Sequence, residues 1–380
     1  TIGRAAFRLF SSGSPRYRRP MSDLSGPKIP KGMRAVVYRG PNDLRLEELP
    51  VPRIGANELL VKVAACGVCP TDIKKIQHGT VAPPRIFGHE TAGTIVKMGA
   101  QVRGFRVGDR VALHHHVPCL DCHACRHRAF AQCPHYKRTG ITAGFEPAGG
   151  GYAEYVRVMS FCLPGVVKIP AKNSFTEGAM LEPVNTVLKG VNRLAVLPGD
   201  FVLVAGQGPI GLLFTQLLAL RGIKVIATDL LDTRLKLARR FGAAFVLRAD
   251  AADLPDQVAR ITRRRGLDAA VIAVPVDAAV QQALALLRGA GQVLLFAHTK
   301  RGAVAPVDFS SICADEKDLL GSYSADVTLQ NSVARLVFSR KLDVRPLVTH
   351  RFPLVETAAA VALAARPRPD SLKVVVGTSP

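Results

Sequence analysis

The sequence predicts an α/β protein in which a β-rich domain accompanies a domain built on a doubly wound parallel sheet. A chain of 380 residues is longer than one hydrophobic core usually organises, so we expect two domains. The first half holds short strand-like runs between Pro and Gly, whereas strands and helices alternate after about residue 183. Such alternation requires a parallel sheet that is covered on both faces.

Short apolar runs between turn residues predict the strands of the first half. Met33–Tyr38 reads MRAVVY and Glu58–Ala65 reads ELLVKVAA, and both runs are bounded by Gly, Pro or Asn. The same pattern predicts further strands at 44–48, 92–97, 109–113 and 152–158. The last fifty or so residues return to short elements, and we expect them to rejoin the first domain.

The second part alternates between buried strands and helices. Phe201–Ala205 is an apolar run of strand length, and a Gly-rich turn then leads into an apolar helix that ends at Leu220. Further strands are predicted at 224–228, 244–247, 269–274 and 292–297, with helices at 233–241 and 278–287. We therefore place the parallel-sheet domain at 185–324 and assign 33–184 together with 325–380 to the β-rich domain.

The formal net charge of +22 raises the question of a nucleic-acid partner. Residues 1–32 hold seven basic residues against one acidic residue, and the other basic residues are scattered apart from the run Arg263–Arg265. Aromatic residues that could stack on bases are not interleaved with them, so we expect no nucleic-acid partner. No run approaches the ~20 apolar residues of a membrane-spanning helix, so we expect a soluble protein without membrane contact.

Residues 1–32 form a basic N-terminal extension that we expect to be disordered. The segment is rich in Arg and Ser and poor in acids, which is also the composition of a mitochondrial presequence. We favour an upstream tail and a cytoplasmic protein; a genuine presequence would instead direct the chain to mitochondria.

A glycine fingerprint follows the strand Phe201–Ala205 directly and opens the next helix. With Gln207 between the first two, its residues are Gly206, Gly208, Pro209, Ile210 and Gly211. The first glycine makes the tight turn, the second admits a pyrophosphate, and the third lets helix and strand pack closely. The helix N-terminus favours that anion. A turn that serves only packing is the alternative, but strand, turn and helix together predict a Rossmann domain that binds a dinucleotide.

The next strand ends in Asp229, eighteen residues after Gly211. A carboxylate at this place accepts hydrogen bonds from the adenosine ribose and repels a 2′-phosphate, so it predicts NAD rather than NADP. Arg234 follows five residues later. It either lies over the adenine or is a solvated helix residue, and we include it among the candidate cofactor-binding residues.

Four of the eight cysteines fall within fifteen residues, with the spacing C-x2-C-x2-C-x7-C. Four thiolates this close can surround one zinc ion tetrahedrally, and a site without an open position is structural. Disulfides within so short a loop would be strained. We therefore predict a structural zinc whose ligands are Cys119, Cys122, Cys125 and Cys133.

A second set of metal-ligating residue types is dispersed along the chain. Its members are Cys69 in CGVCPTD, His89 and Glu90 in FGHE, and Glu182 in LEPV. Each residue alone would be read as a packed side chain. Three protein ligands with an open fourth position are, however, what a catalytic zinc requires, so we expect two zinc ions per chain.

The order of several motifs carries a family resemblance. CGVCPTD, GHETAGTI, GDRV, the four-cysteine lobe, GGYAEYV, LEPV, GQGPIG and PLVTHRFPL occur in the order seen in the zinc-containing medium-chain dehydrogenases. The chain most closely resembles the sorbitol (L-iditol), threonine and butanediol dehydrogenase branch, over residues 33–376. The resemblance implies a Rossmann domain inserted into a GroES-like catalytic domain, and assembly as a homodimer or homotetramer.

The resemblance also implies roles for the dispersed residues. Cys69 and His89 would be ligands of the catalytic zinc, and Glu90 would be a neighbour that can move onto the metal. Glu182 would be the third ligand, or it would hold the water that the zinc binds.

The same resemblance suggests a proton relay. Thr71 corresponds to the hydroxyl that relays the alcohol proton, and Asp72 to the carboxylate that orients the zinc-bound imidazole. Lys74 stands where many relatives have an outer relay histidine, and we expect a surface lysine with an ordinary pKa. Lys75 replaces an aromatic residue of the polyol enzymes, and Ser324-Ala325 replaces their Arg-Tyr pair, so we do not expect a sorbitol-like substrate.

We therefore predict a zinc-dependent, NAD-linked oxidoreductase that acts on the CH–OH group of a small secondary alcohol, diol or polyol and forms the ketone. A threonine-type 3-hydroxy amino acid dehydrogenase is the alternative among enzymes. An NAD-binding protein without catalysis is the alternative of another class, and the retention of Cys69, His89 and Glu182 argues against it.

Overall fold

The computed structural model describes residues 29–114, 117–136, 149–297, 302 and 304–377. Most of the predicted N-terminal extension therefore lies outside the described residues. Within them, three sheets are formed, and two of them belong to the β-rich part of the chain.

The β-rich part is built from short, mainly antiparallel strands. These are β1 (Gly32–Gly40), β2 (Asp43–Pro50), β3 (Leu59–Gly67), β4 (Arg85–Ile86), β5 (Glu90–Met98), β6 (Arg110–Ala112), β7 (Tyr155–Val158), β8 (Val167–Lys168), β15 (Val348–Pro353) and β16 (Lys373–Gly377). One sheet has the order β2-β1-β4, and the other has the order β15-β16-β3-β5-β6-β8, with β7 also paired to β3. Because β16 pairs antiparallel with β3, the C-terminal segment adds a strand to a sheet of the first half.

The second part forms one parallel sheet. Its strands are β9 (Phe201–Ala205), β10 (Lys224–Asp229), β11 (Phe245–Arg248), β12 (Leu267–Ile272), β13 (Leu287–Leu295) and β14 (Asp318–Gly321). They lie in the order β11-β10-β9-β12-β13-β14. The order reverses between β9 and β12, and the crevice at the carboxyl ends of such a switch point is where this fold binds ligands. The predicted fold class, a Rossmann domain beside a β-rich domain, is confirmed.

Helices pack on the sheets of both parts of the chain. They are α1 (Pro70–His78), α2 (His123–Arg126), α3 (Phe175–Ala179), α4 (Leu181–Val191), α5 (Pro209–Leu220), α6 (Asp232–Arg240), α7 (Leu254–Ile261), α8 (Asp277–Leu286), α9 (Phe309–Ala314), α10 (Gln330–Phe338) and α11 (Thr357–Ala365). One hydrophobic core runs from Ala65 and Ala92 of the β-rich part through α4 and α5 to β9. The boundary that we place between residues 184 and 185 lies inside α4, so that helix is shared by both parts.

The structure differs from the predicted elements at several ends. The strand predicted at 152–158 begins only at Tyr155, and the one predicted at 292–297 begins earlier, at Leu287. Helix α7 has a strongly one-sided pattern, with Leu254 and Val258 buried, but Pro255 in its first turn obscures it in the sequence. No helix of the described residues is long and apolar enough to cross a membrane.

Candidate active site

The first wall of the site is the junction between β3 and α1. Cys69 precedes the helix in extended conformation, and Pro70 occupies the first helical position, where its missing N–H costs no hydrogen bond. Asp72 in the first turn is buried, whereas Thr71 faces a cavity that lies between the two parts of the chain. The local sequence thus presents a thiol, a hydroxyl and a carboxylate within four residues.

The second wall is the start of β5. In the antiparallel pairing of β3 and β5, Glu90 lies opposite Gly67, and this register brings His89 towards Cys69. A Cβ atom at Gly67 would lie 1.8 Å from Glu90 Oε2 and 2.9 Å from Cε of Lys373, so a larger residue would displace these buried side chains. Ligand atoms of Cys69, His89 and Glu90 all lie within 4.8 Å of one another. A thiolate, an imidazole and a carboxylate in such a group suit zinc.

The buried ring of His89 is held by Asp72. Its Nδ1 lies 3.0 Å from Asp72 Oδ1, so an Nδ1–H group can donate to that carboxylate and leave Nε2 for a metal. Burial would lower the pKa of His89, but Asp72 and Cys69 together raise it well above its usual range. The arrangement fits a zinc-bound histidine whose ring is oriented by a hydrogen-bonded carboxylate. The family resemblance predicts this role for Asp72.

Lys373 is a buried cation beside Glu90, and the sequence does not predict this position for it. Its Nζ donates to Glu90 Oε1 at 2.6 Å and to the carbonyl of Val68 at 2.9 Å. Burial would lower the pKa of Lys373, but Glu90 and Cys69 outweigh burial and raise it. The only signal in the sequence is a lysine that opens the apolar strand KVVVG.

Glu182 stands apart from the compact ligand group. It lies in the first turn of α4, is buried and lines the same cavity, but it is not among the residues whose ligand atoms fall within 4.8 Å. Burial, above all, raises the pKa of Glu182 to about 7, while the charge of His89 acts in the opposite direction. Of its two predicted roles, holding a water beside the metal fits this position better than direct ligation.

The four cysteines of the lobe come together around one point. The sulfur atoms of Cys122 and Cys125 lie 3.5 Å apart, those of Cys119 and Cys133 3.7 Å, and those of Cys119 and Cys125 3.9 Å. A tetrahedron with Zn–S bonds of ~2.3 Å has edges of about 3.8 Å. Backbone N–H groups of Asp121 and Cys122 lower the pKa of Cys119 to about 6, which favours the thiolate. These residues fit a structural zinc.

The glycine fingerprint has the shape that a dinucleotide needs. Gly206 has φ +87°, and a Cβ at Gly211 would lie 1.7 Å from the carbonyl oxygen of Gly206. A Cβ at Gly208 would meet nothing within 4 Å, so its backbone faces open space, where a pyrophosphate can approach. Pro209 and Ile210 begin α5 beside the cavity.

Asp229 ends β10 at the edge of this turn. Its carboxylate accepts the backbone N–H of Gln207 at 2.6 Å and that of Leu231 at 2.9 Å. Arg234 of α6 also lines the cavity, and its Nη1 lies 3.9 Å from Asp229 Oδ2. With 16% of its side chain exposed, Arg234 is not the solvated helix residue of our alternative interpretation.

One cavity of about 500 Å³ joins these elements. Thr71, His89 and Glu182 line it on one side, and the fingerprint residues Gly208 and Pro209 on the other. A metal at the ligand group and a dinucleotide at the fingerprint would therefore share one space, as hydride transfer requires.

Lys74 is not the surface lysine that we expected. It is half-buried in α1 and lines the cavity. Burial lowers its pKa below the ordinary 10.5, although the nearby Cys69 acts in the opposite direction. The expectation fails because the sequence does not show which face of α1 the cleft covers.

Two aromatic residues of the cavity were also missed. Tyr136 follows the last cysteine of the lobe by three residues and is buried, and Tyr323 follows β14. Burial raises the pKa of Tyr136 to about 12, so its phenol stays neutral. The Arg-Tyr pair of the polyol enzymes is replaced by Ser324, which lines the cavity, and by the buried Ala325.

Comparisons with known proteins agree with this geometry. The family described as "Alcohol dehydrogenase GroES-like domain" matches residues 55–171, and the family described as "Zinc-binding dehydrogenase" matches residues 209–339. A sorbitol dehydrogenase from Bombyx mori is 33% identical over 342 residues, which make up 87% of this chain and 94% of that protein.

Two solved structures share the whole fold. An Escherichia coli CFT073 protein described as a short chain alcohol dehydrogenase, in complex with NADH, has a TM-score of 0.82 at 26% identity and covers 92% of this chain and 100% of its own. A Sinorhizobium meliloti 1021 protein bound to NADP and described as a zinc-binding dehydrogenase has a TM-score of 0.82 at 28% identity. It covers 91% of this chain and 99% of its own.

The chain belongs to the zinc-containing medium-chain alcohol dehydrogenase family. It is therefore an oxidoreductase that acts on the CH–OH group of its donor, as predicted from the sequence. Both solved structures hold a nicotinamide dinucleotide, one NADH and the other NADP, in agreement with the predicted class of cofactor.

Proposed function

We propose that this protein oxidises a small secondary alcohol to the ketone and transfers the hydride to NAD, with two zinc ions bound per chain. One observation carries the proposal. The ligand group Cys69, His89 and Glu90 and the glycine fingerprint open into the same cavity of about 500 Å³. When bound there, zinc would supply Lewis acidity at the hydroxyl oxygen, and the nicotinamide would accept the hydride.

The chain's own residues would manage the proton and the geometry. The hydroxyl of Thr71 faces the cavity two residues after Cys69, so it is placed to accept the alcohol proton and pass it outwards. Asp72 fixes the ring of His89 through the 3.0 Å contact and so holds a metal ligand in one orientation. Lys74, also on the cavity wall, is the candidate for the outer end of the relay.

The choice of NAD rests on Asp229. Its carboxylate stands at the end of β10, beside the fingerprint, where the adenosine ribose of a dinucleotide would lie. A 2′-phosphate would meet this negative charge. Arg234 lies 3.9 Å away and would offset part of that repulsion, so we expect a preference for NAD rather than complete exclusion of NADP.

The test is a steady-state assay of the zinc-loaded protein at the NADH absorbance, with diols, polyols, 3-hydroxy amino acids and simple secondary alcohols in parallel. We expect turnover with at least one secondary alcohol. Thr71→Val should cut kcat by ~10²–10⁴-fold while zinc content and NADH binding stay close to wild type. Thr94→Val, in β5 outside the cavity, is the matched control and should keep its activity.

Two other functions give different results in the same assay. A 3-hydroxy amino acid dehydrogenase would turn over threonine faster than the diols. A cofactor-binding protein without catalysis would bind NADH but oxidise nothing, even with both metal sites filled. We further propose a cytoplasmic homodimer or homotetramer, which light scattering and cell fractionation would test.

A further inference from the structure

The cavity wall carries more positive than negative side chains. Among the described residues, the wall holds the acids Glu90 and Glu182 and the cations Lys74, Lys75, Arg234 and Lys373. Two of these cations are already engaged within the protein. Lys373 is bonded to Glu90, and Arg234 lies beside Asp229 at the cofactor end of the cavity. Lys75 of α1 adds a further positive charge to the wall.

Lys75 has no partner of opposite charge among the residues that the structure describes. It is half-buried, and neither an ion pair nor a side-chain hydrogen bond reaches its ammonium group within that part of the chain. Lys74, the residue before it, also lines the cavity. Holding a cation partly out of water without a counter-ion costs free energy, unless a bound anion offsets that cost.

The position of Lys75 also fits a small substrate. Lys75 lies six residues after Cys69, and both residues line the cavity. A small molecule in that cavity could therefore place its carbinol at the metal ligands and a second group near Lys75. The remaining lining is largely apolar, for example Ile73 and Met180, so one charged end and a short carbon skeleton would match it.

Resting on the dehydrogenase function proposed above, we propose that Lys75 binds an anionic group of the substrate. The substrate class is then a small secondary alcohol that carries a carboxylate or a phosphate ester. The ammonium group of Lys75 donates charge-assisted hydrogen bonds to that anion, and a neutral polyol would leave it without a partner.

The experiment compares three secondary alcohols with the zinc-loaded enzyme and NAD. These are 3-hydroxybutyrate, its neutral amide 3-hydroxybutyramide, and 2-hydroxypropyl phosphate. We expect kcat/KM for the carboxylate or the phosphate to exceed that for the amide at least ~10-fold, and to fall with rising ionic strength. The faster anion identifies the charged group. A wild-type enzyme that prefers the amide, or does not discriminate, overturns the proposal.

Variants show which cation is responsible. Lys75→Gln should lower kcat/KM for the preferred anion by ~10–100-fold and bring the anion-to-amide ratio close to one, whereas Lys75→Arg should keep the preference. Lys97→Gln, at an exposed lysine of β5 outside the cavity, should leave the ratio unchanged. An unchanged ratio in Lys75→Gln, with weaker NADH binding by fluorescence, would assign the lysine to the cofactor and refute the proposal.

Failure of this substrate class can be told apart from failure of the enzyme function. If neutral secondary alcohols are oxidised as well as the anions, the charge proposal is wrong and the dehydrogenase function stands. If no alcohol is oxidised by protein with both metal sites filled, the dehydrogenase function is wrong, and the substrate class falls with it.

Discussion

Asp72→Asn tests whether the carboxylate of Asp72 holds His89 in place as a metal ligand. The substitution keeps the size of the side chain but removes its charge, and both partners of the 3.0 Å contact are buried, with 6% of the His89 side chain and 2% of the Asp72 side chain exposed. Water therefore cannot replace the lost interaction. We expect the fold to persist and the affinity of the catalytic site for zinc to fall.

The expected loss of zinc affinity can be calculated from one buried hydrogen bond to a charged group. Such bonds contribute ~1.5–3 kcal/mol, and each 1.4 kcal/mol is a factor of ten in affinity. Carboxylates that hold a zinc-bound histidine typically account for ~10–100-fold in metal affinity. The two figures agree, so we expect zinc binding at Cys69 and His89 to weaken ~10–100-fold.

The assay is equilibrium dialysis against zinc buffered by a chelator, with zinc per chain read by atomic absorption. The four-cysteine site lies outside the cavity and serves as an internal reference, which Asp72→Asn should not change. Asp109→Asn, which removes the charge of a half-buried carboxylate paired with Lys168, is the control. A variant that binds the second zinc as tightly as wild type would show that Asp72 does not hold His89 for a metal.

Four further predictions concern separate parts of the molecule. Fully loaded protein should contain two zinc ions per chain, and a chelator should remove the catalytic one first together with activity; a maximum of one zinc would disprove one site. Asp229→Gly, combined with an arginine at Leu230, should shift the ratio of kcat/KM for NAD and NADP at least ~10-fold towards NADP. Burial lowers the pKa of Lys74 below the ordinary 10.5. As a proton acceptor Lys74 must be neutral, so kcat/KM should rise with pH through this lowered pKa, and Lys74→Ala should remove the rise. An unchanged pH profile would exclude Lys74 from the relay. Burial would raise the pKa of Asp268, but hydrogen bonds from Arg288 and from the Phe201 N–H lower it. The ionised Asp268 carboxylate therefore adds to the free energy of unfolding above the ordinary aspartate pKa. This stabilisation is lost as the pH falls through the lowered pKa. Asp268→Asn should destabilise the protein by about 2–4 kcal/mol at pH 7 and less at pH 2, as measured by urea unfolding.

The parts of the fold that the sequence predicts are those with local signals. A buried strand, a glycine turn and an apolar helix are adjacent in the chain between Phe201 and Leu220, so their geometry follows from short-range rules. The cysteine lobe is equally local, because its four thiols lie within fifteen residues. Both features have the shape that their spacing indicates.

The parts that escape prediction depend on long-range packing. Lys373 reaches Glu90 across 283 residues of sequence, and only the pairing of β16 with β3 brings them together. The burial of Lys74 depends on which side of α1 faces the cleft, and Tyr136 lines the cavity together with residues that are distant from it in sequence, such as Glu182 and Tyr323. A lysine or tyrosine carries no local signal of such a position.

The contact between Lys373 and Glu90 has a consequence for biosynthesis. Strands β9 to β14 and the cysteine lobe leave the ribosome well before residue 373, and each can be assembled from residues that are already available. The surroundings of Glu90 cannot be completed until β16 has been translated and added beside β3. A nascent chain can thus form its lobe and its nucleotide-binding sheet before the cation that neutralises Glu90 is available.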